Sequence, residues 1–404
     1  MKIKIVDSIM GSGKTKSAIN KMNEDWNNNY IFITPYLNEV SRIKDECSNR
    51  KFYEPDNKGN GKLDSLHNLI AKQHSIASTH SLFKIYNDYT KELIRLNNYV
   101  LILDEVFDVL EIVPLHKDDV GILLESGLAH LDENSFVIWD DKDYNGTKFN
   151  AIKSMSESKN LILINGVFMV WNFPIDVFES FKEVYILTYM FNAQVQKYYY
   201  DINNVEYAKL GVAKKEDGTY SFSDEITVPE YVKDLKSKIT IIEDDKLNAI
   251  GDGKHSLSKS WFRREQDKRS KPMFKMLKNN IINTFIHKTK TNSNTNMWTT
   301  FKDYKGSLAG KGYTKGFVAC NARATNEYGH KKSLAYCLNV YFNPYIKNYF
   351  VKNGIEVQED MYALSELIQW VWRSAIRNGD EITLYIPSSR MRGLLKDFLN
   401  GFDE

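Results

Sequence analysis

Cysteine is scarce in this chain of 404 residues. Cys47, Cys320 and Cys337 are odd in number and far apart, with no C-x-x-C pair and no histidine cluster beside them. That excludes a disulfide framework and a thiolate zinc site. An excess of one charge is also missing: 54 Lys and Arg against 52 Asp and Glu leave a net charge of +2. Bulk composition therefore says nothing about nucleic acid, and any such argument must come from local charge. No run approaches the roughly 18 apolar residues of a membrane span, and the start Met-Lys-Ile-Lys-Ile-Val is not a secretory signal. The expected location is the cytoplasm, with no membrane partner.

What is present is enough chain for two hydrophobic cores. Up to about Met190, short apolar runs alternate with helical patterns: Ile3 to Val6, Tyr30 to Ile33, Val100 to Leu103, Phe136 to Trp139, Leu161 to Ile164 and Val184 to Leu187. Runs without polar alternation suit strands of a parallel sheet covered on both faces. The rhythm breaks over 192–296, which holds a Tyr-rich run, a hairpin signal at Asp217-Gly218 and a basic stretch from Lys254 to Lys290. It returns with strand patterns at Met297 to Phe301, Gly316 to Cys320, Leu334 to Val340 and Glu381 to Ile386. The expected organisation is an α/β domain over 1–191, a connector or insertion over 192–296 and a second α/β domain over 297–404.

The first run leads into Ser8-Ile9-Met10-Gly11-Ser12-Gly13-Lys14-Thr15, and a helical pattern follows with Ala18, Ile19, Met22 and Trp26 on one face. Strand, glycine turn and helix in that order place backbone N–H groups and a helix N-terminus around a polyphosphate. Gly11, Ser12, Gly13, Lys14 and Thr15 are the expected nucleotide-binding residues, with Lys14 on the β/γ-phosphates and Thr15 on Mg²⁺. Ser8 stands where the usual pattern has its first glycine. A chance glycine turn at a helix start is the competing explanation, and the flanking strand and helix weigh against it.

The run Val100 to Leu103 ends in Asp104-Glu105. Beside a phosphate loop at the C-terminal edge of a parallel sheet, Asp104 can hold Mg²⁺ and Glu105 can orient and deprotonate the attacking water. Neighbouring strand residues point to opposite sides, which gives the two acids different tasks. The same pair on an ordinary chain would simply begin a solvated loop. Loop and acids together specify an ATPase with ATP and Mg²⁺ as cofactors.

Further segments, in this order, resemble the superfamily 2 (DEAD/DEAH-like) helicases, in particular compact phage-type ones. Ile33-Thr34-Pro35-Tyr36-Leu37 is similar to motif Ia, Ile76-Ala77-Ser78-Thr79-His80 to the next strand-binding segment, and Leu187-Thr188-Tyr189-Met190 to the coupling motif III. Met297-Trp298-Thr299-Thr300-Phe301 resembles motif IV, Arg323-Ala324-Thr325-Asn326-Glu327-Tyr328-Gly329 motif V, and Gln369-Trp370-Val371-Trp372-Arg373-Ser374-Ala375-Ile376-Arg377 motif VI. The resemblance implies two RecA-like P-loop domains with parallel sheets. It implies nucleic-acid contacts from Thr34, Pro35, Thr79, His80, Thr300, Thr325 and Asn326, and coupling through Thr188. It also implies that Gln369, Arg373 and Arg377 act in catalysis beside Glu105.

The last segment supports this on physical grounds. Leu364, Leu367, Ile368, Val371 and Ala375 make an apolar stripe at helical spacing, and Gln369, Arg373 and Arg377 recur at i, i+4 on another face. Always-protonated guanidinium groups suit the charge that develops in phosphoryl transfer, where an arginine can add ~10³ to 10⁵ in rate. A solvated basic face is the plainer alternative. Three departures stand out. The two arginines lie four residues apart instead of three, which leaves open which one touches the γ-phosphate. Asp104-Glu105-Val106-Phe107 sits where the family has its motif II, and Phe107 replaces that motif's polar fourth residue. Seven residues precede the loop, too few for the adenine-reading segment of DEAD-box proteins.

Between Lys254 and Lys290 there are eleven Lys or Arg against Glu265 and Asp267, interleaved with Trp261, Phe262 and Phe274. Such a mixture either lines a strand channel or wedges a duplex, neutralising phosphates and stacking bases, or is a solvated helix with its aromatics packed inward. The expected function is an ATP-driven DNA helicase or translocase in phage replication or recombination. Its partners would be single-stranded or forked DNA and replication proteins, with the oligomeric state open. A DNA-packaging ATPase, or a nucleotide-switched DNA-binding protein with negligible turnover, are the competing classes.

Overall fold

Apolar runs without alternation require helices on both faces of their sheet, and the computed structural model, which describes residues 3–166, 168–321 and 327–401, has that construction. By packing, the chain forms two units: residues 1–7, 14–225 and 343–357 in the first, and 8–13, 226–342 and 358–404 in the second.

The first unit contains β1 (Ile3–Asp7), β2 (Tyr30–Thr34), β3 (Phe52–Tyr53), β4 (Ser75–Thr79), β5 (Val100–Asp104), β6 (Leu110–Ile112), β7 (Ala129–Leu131), β8 (Val137–Trp139), β9 (Leu161–Ile164), β10 (Phe168–Asn172), β11 (Glu183–Thr188), β12 (Tyr207–Lys214) and β13 (Tyr220–Ser223). Its main sheet runs β13-β12-β1-β11-β5-β2-β4-β3. All pairs are parallel except the β12–β13 hairpin. β2 and β5 are buried along their whole length, which accounts for their uninterrupted apolar sequence. The helix Lys14–Glu24 lays Ala18, Ile19 and Met22 against this core, together with Ser17. It stops before Trp26, which was expected on the same face and is exposed.

Two apolar runs expected in the parallel sheet lie elsewhere. Leu161–Ile164 pairs antiparallel with β10 in a small sheet of order β6-β10-β9, and Val137–Trp139 pairs antiparallel with β7. For the first of these the distinguishing signal is Asn165-Gly166, both at positive φ, in the short connection to β10. An apolar run reports burial and leaves its pairing partner unstated.

The second unit holds β14 (Ile239–Ile241), β15 (Asn296–Thr299), β16 (Ser333–Tyr336) and β17 (Ile382–Tyr385), a parallel sheet of order β14-β17-β16-β15. The expected strand at Gly316–Cys320 is absent. Thr314–Gly316 forms a tight helical turn, and Phe317 makes only an isolated bridge to Trp298. Gly316 lies so close to the backbone that a Cβ there would come within 2.5 Å of the Asn296 carbonyl oxygen.

The expected connector 192–296 is divided. Its first part extends the first sheet through β12 and β13, and its later part supplies β14 and two helices of the second unit, Lys259–Asp267 and Pro272–Ile282. On those helices Trp261, Phe262 and Phe274 are buried in one core with Tyr304, Leu308 and Tyr313. Among the described residues no helix is long and apolar enough to cross a membrane.

Candidate functional site

β1 delivers Asp7 to the C-terminal edge of the first sheet, and the glycine loop follows. Gly11 and Gly13 have φ of +83° and +95°, a left-handed backbone that costs any other residue ~1–2 kcal/mol. The Ser12 N–H donates to the Ile9 carbonyl at 3.3 Å, and the helix begins at Lys14. Its first N–H groups have no partner within the helix, so the loop ends at an anion-attracting terminus. The Ser12 hydroxyl is buried without a hydrogen-bond partner among the described residues.

Within the first unit, Lys14 and Asp104 share a desolvated environment. Burial lowers the Lys14 ammonium to about 8, although the charges of Asp104, Asp7 and Glu105 oppose the shift. Burial raises the Asp104 carboxyl to about 7, helped by the neighbouring charge of Glu105 and resisted by Lys14. The Thr15 hydroxyl donates to Asp104 Oδ1 at 3.4 Å. A cationic head, a hydroxyl and two carboxylates thus meet where the loop enters its helix. The geometry suits a polyphosphate with its divalent cation.

Glu105 leaves the strand with a φ of +70° and donates its N–H to the Leu187 carbonyl at 2.9 Å. This left-handed step is a strained conformation for glutamate, held by its surroundings. Two residues on, the Phe107 N–H donates to Gln196 Oε1 at 2.9 Å, and Gln196 Nε2 donates to the Tyr200 hydroxyl at 2.9 Å, all in the buried interior. Thr188 ends β11, the strand between β1 and β5, in register with Asp7. The Phe191 N–H donates to Asp7 Oδ2 at 3.1 Å, tying this edge to the loop strand.

The expected strand-binding residues of the first unit share that sheet edge. Thr34 and Thr79 are register partners at the ends of β2 and β4, and Pro35 follows directly. The Thr34 side chain is fully buried, and its hydroxyl has no partner among the described residues. His80 is buried, its ring edge-on to Phe107 with centroids 5.5 Å apart. The aromatic at position 107 therefore packs, while its backbone makes the polar contact.

In the second unit, Thr299 and Thr300 are fully buried with partnerless hydroxyls among the described residues. Arg323, Ala324, Thr325 and Asn326 lie outside the described residues. The helix expected to carry Gln369, Arg373 and Arg377 on one face is shorter than its pattern. It spans Glu359–Val371, with Gln369 half-buried in its last turn. Arg373 is buried just past the end, and Arg377 is exposed on the tight turn Ala375–Asn378. The break has a local cause. Ser374 is extended and returns its hydroxyl to the Val371 carbonyl at 2.7 Å, and the Ala375 N–H leaves the helical ladder for the Lys331 carbonyl at 2.9 Å.

Loop residues 8–13, which group with this unit, bring in two side chains that sequence reasoning did not single out. The Tyr231 hydroxyl donates to the Met10 carbonyl at 2.8 Å, and the Trp372 indole lies 3.7 Å from where a Cβ on Gly11 would stand. Gln196 was missed too, because a lone glutamine in a Tyr-rich helix carries no spacing signal.

A model of the YonV C-terminal Rossmann-like domain matches residues 233–399, and one of the YonV middle domain matches 110–171, the segment that holds the small antiparallel sheets. The SPbeta prophage-derived YonV protein of Bacillus subtilis (strain 168) is 50% identical over 412 residues, covering 98% of each chain. The chain belongs to the YonV family. Among solved structures, an apo XPD is similar at 10% identity with a TM-score of 0.51, covering 98% of this chain and 95% of that one. The Xpd4 structure of S. tokodaii is similar at 12% identity with a TM-score of 0.51, covering 98% and 94%. At those identities the likeness concerns the fold alone. This YonV-family chain has an α/β fold similar to that of the XPD structures.

Proposed function

We propose that this YonV-family protein is an ATP hydrolase of superfamily 2 that couples hydrolysis to movement on a nucleic-acid strand, in prophage DNA replication or recombination. The observation that carries the reading is the meeting of Lys14, Thr15, Asp104 and Glu105 at a loop with two left-handed glycines. Such a loop lets backbone N–H groups converge on a polyphosphate, and an acid pair beside it, Asp104 buried and Glu105 half-buried, can serve a cation and a water.

Mg²⁺ and ATP fit this donor set. Among the described residues, no group of three His, Cys, Asp or Glu could hold a metal by itself. Mg²⁺ prefers one or two carboxylates with phosphate oxygens and water, and Thr15 and Asp104 supply the protein's share. When bound, the cation would neutralise charge between the β- and γ-phosphates. Lys14 holds the phosphate chain, and Glu105, turned off the strand, accepts a proton from the attacking water. Gln369, Arg373 and Arg377 supply donors to the γ-phosphate, and Thr188 at the end of β11 links the site to Thr34 and Thr79 on the same sheet edge. The half-buried Thr79 can meet the strand backbone directly, and the fully buried Thr34 only where strand binding opens the edge around it.

The test is steady-state ATP turnover with and without single-stranded DNA, for the wild type, Lys14→Ala and Arg373→Ala. Turnover stimulated by the strand, abolished by the first substitution and lowered ~10³-fold or more by the second, supports the reading. Tight DNA binding without turnover in the wild type refutes it. Strand displacement on substrates with 3′ or 5′ tails then assigns unwinding and direction.

A further inference from the structure

The helices Lys259–Asp267 and Pro272–Ile282 turn their aromatic side chains into the core of the second unit, which leaves an outer surface with an excess of cations. Arg263, Arg264, Arg269 and Lys275 are exposed, and none has a carboxylate partner among the described residues. The acids of this stretch do little to offset them: Glu265 is buried and paired with Lys268, and Asp267 alone faces solvent. Lys302 and Lys305, both exposed, add two cations and the exposed Asp303 one acid along the segment that packs on the second helix, with the Lys305 ammonium 4.6 Å from the Phe317 ring centroid. That segment directly follows Thr299 and Thr300, whose buried hydroxyls lack partners.

We propose that this face is a docking surface for the sugar-phosphate backbone of duplex nucleic acid, separate from the strand-gripping edge of the first sheet. Single strands are usually held by charge combined with aromatic stacking on unpaired bases. Here Trp261, Phe262, Phe274 and Tyr304 are all buried in one cluster, so the helices offer no ring to a splayed base. Charge alone remains, and its gain is largest on the partner with the densest phosphates, a duplex with one negative charge per ~1.7 Å of axis. Guanidinium groups fork onto phosphate oxygens without reading sequence. The assignment rests on the nucleic-acid reading above and adds the duplex ahead of or behind the moving strand as the partner.

The test uses the full chain without nucleotide. Fluorescence anisotropy measures the affinity of the wild type, of Arg263→Gln/Arg264→Gln/Arg269→Gln/Lys275→Gln, and of Lys302→Gln/Lys305→Gln for a 20-base-pair DNA duplex. The same measurement is made on a 20-nucleotide single strand and on anionic lipid vesicles, from low to moderate salt. The quadruple variant is expected to bind the duplex about tenfold or more weakly, with a salt slope shallower by up to about 3 to 4, since each lost phosphate contact removes about 0.9. The double variant loses proportionately less, and both melt at the wild-type temperature. Duplex binding with wild-type affinity and slope in both variants overturns the proposal, as does a loss confined to the single strand or to vesicles. Because binding is read without nucleotide, a wild type devoid of ATP turnover would refute the proposed function and leave this comparison decisive on its own.

Discussion

The backbone N–H of Phe107 donates to the side-chain oxygen of Gln196 at 2.9 Å, so a buried glutamine 89 positions away anchors the turn that carries Glu105. Gln196 is itself held by its bond to the Tyr200 hydroxyl. Removing the acceptor leaves a buried N–H unsatisfied, worth ~1–3 kcal/mol, and frees a turn whose glutamate already sits in a left-handed conformation. Gln196→Leu is therefore expected to lower kcat for ATP about tenfold or more, the equivalent of ~1.4 kcal/mol, and to leave nucleotide Kd near the wild-type value. Gln196→Glu, held neutral by burial, keeps both acceptor and donor and restores most of the rate. A fall in affinity with kcat unchanged would refute this positioning role.

The opposed shifts of Asp104 and Lys14 set the pH response. An aspartate that titrates at about 7 when folded and near 3.8 when unfolded keeps a proton that the unfolded chain releases, so stability falls as pH rises between those values. Lys14 works in the other direction: the folded protein gives up its proton at about 8 and the unfolded chain near 10.5, so stability rises across that window. The free protein should be least stable around pH 7 to 8 as far as these two groups are concerned. Asp104→Asn should raise the melting temperature at pH 7.5 and leave it unchanged at pH 4. Equal shifts at both values would contradict the assignment. The kcat/KM profile for ATP should rise through about 7 and fall above about 8, as first Asp104 and then Lys14 loses its proton.

Much of this was readable from residues whose neighbours in sequence are also their partners in function. The loop Gly11 to Thr15, with its strand and helix, is one local unit, and Asp104-Glu105 ends a strand whose burial shows in its composition. The rest depends on distant partners. Leu161–Ile164 reads like Val100 to Leu103 because both are buried, and only the hairpin dipeptide Asn165-Gly166 distinguishes them. The arginine spacing after Gln369 fits a helix, yet the Ala375 N–H finds the Lys331 carbonyl and the helix ends. Trp261 and Phe262 carry no mark of their direction until Tyr304 and Phe274 are placed beside them.

Gly13 tests the phosphate loop by conformation alone. Its φ of +95° lies where an L-residue is strained, so Gly13→Ala should destabilise the fold by ~1–2 kcal/mol. The N–H groups around Lys14 must also shift to relieve that strain. ATP affinity is expected to fall by much more than the stability loss accounts for, measured by calorimetric titration at a temperature where the variant remains folded. Retained affinity in a destabilised variant would show that the loop does not cradle phosphate.

Thr34 separates function from stability, since the two should respond in opposite directions. Its hydroxyl ends β2 at the sheet edge shared with Asp104, is fully buried, and has no partner among the described residues. An unsatisfied buried hydroxyl carries a desolvation penalty, and replacing it with a methyl group of similar shape removes that penalty. Thr34→Val should therefore raise stability by ~1 kcal/mol in denaturant unfolding. The same substitution removes a hydroxyl that strand binding must uncover before it can meet the sugar-phosphate backbone, so single-strand affinity should drop several-fold and strand-stimulated ATP turnover should fall with it. Turnover without nucleic acid provides the internal comparison, because Thr34 follows Ile33, the register partner of Leu103, and any effect passed to Asp104 would show there. A variant that is more stable and binds the strand as well as the wild type would show that the hydroxyl serves neither purpose, and would remove the first-sheet edge from the strand path.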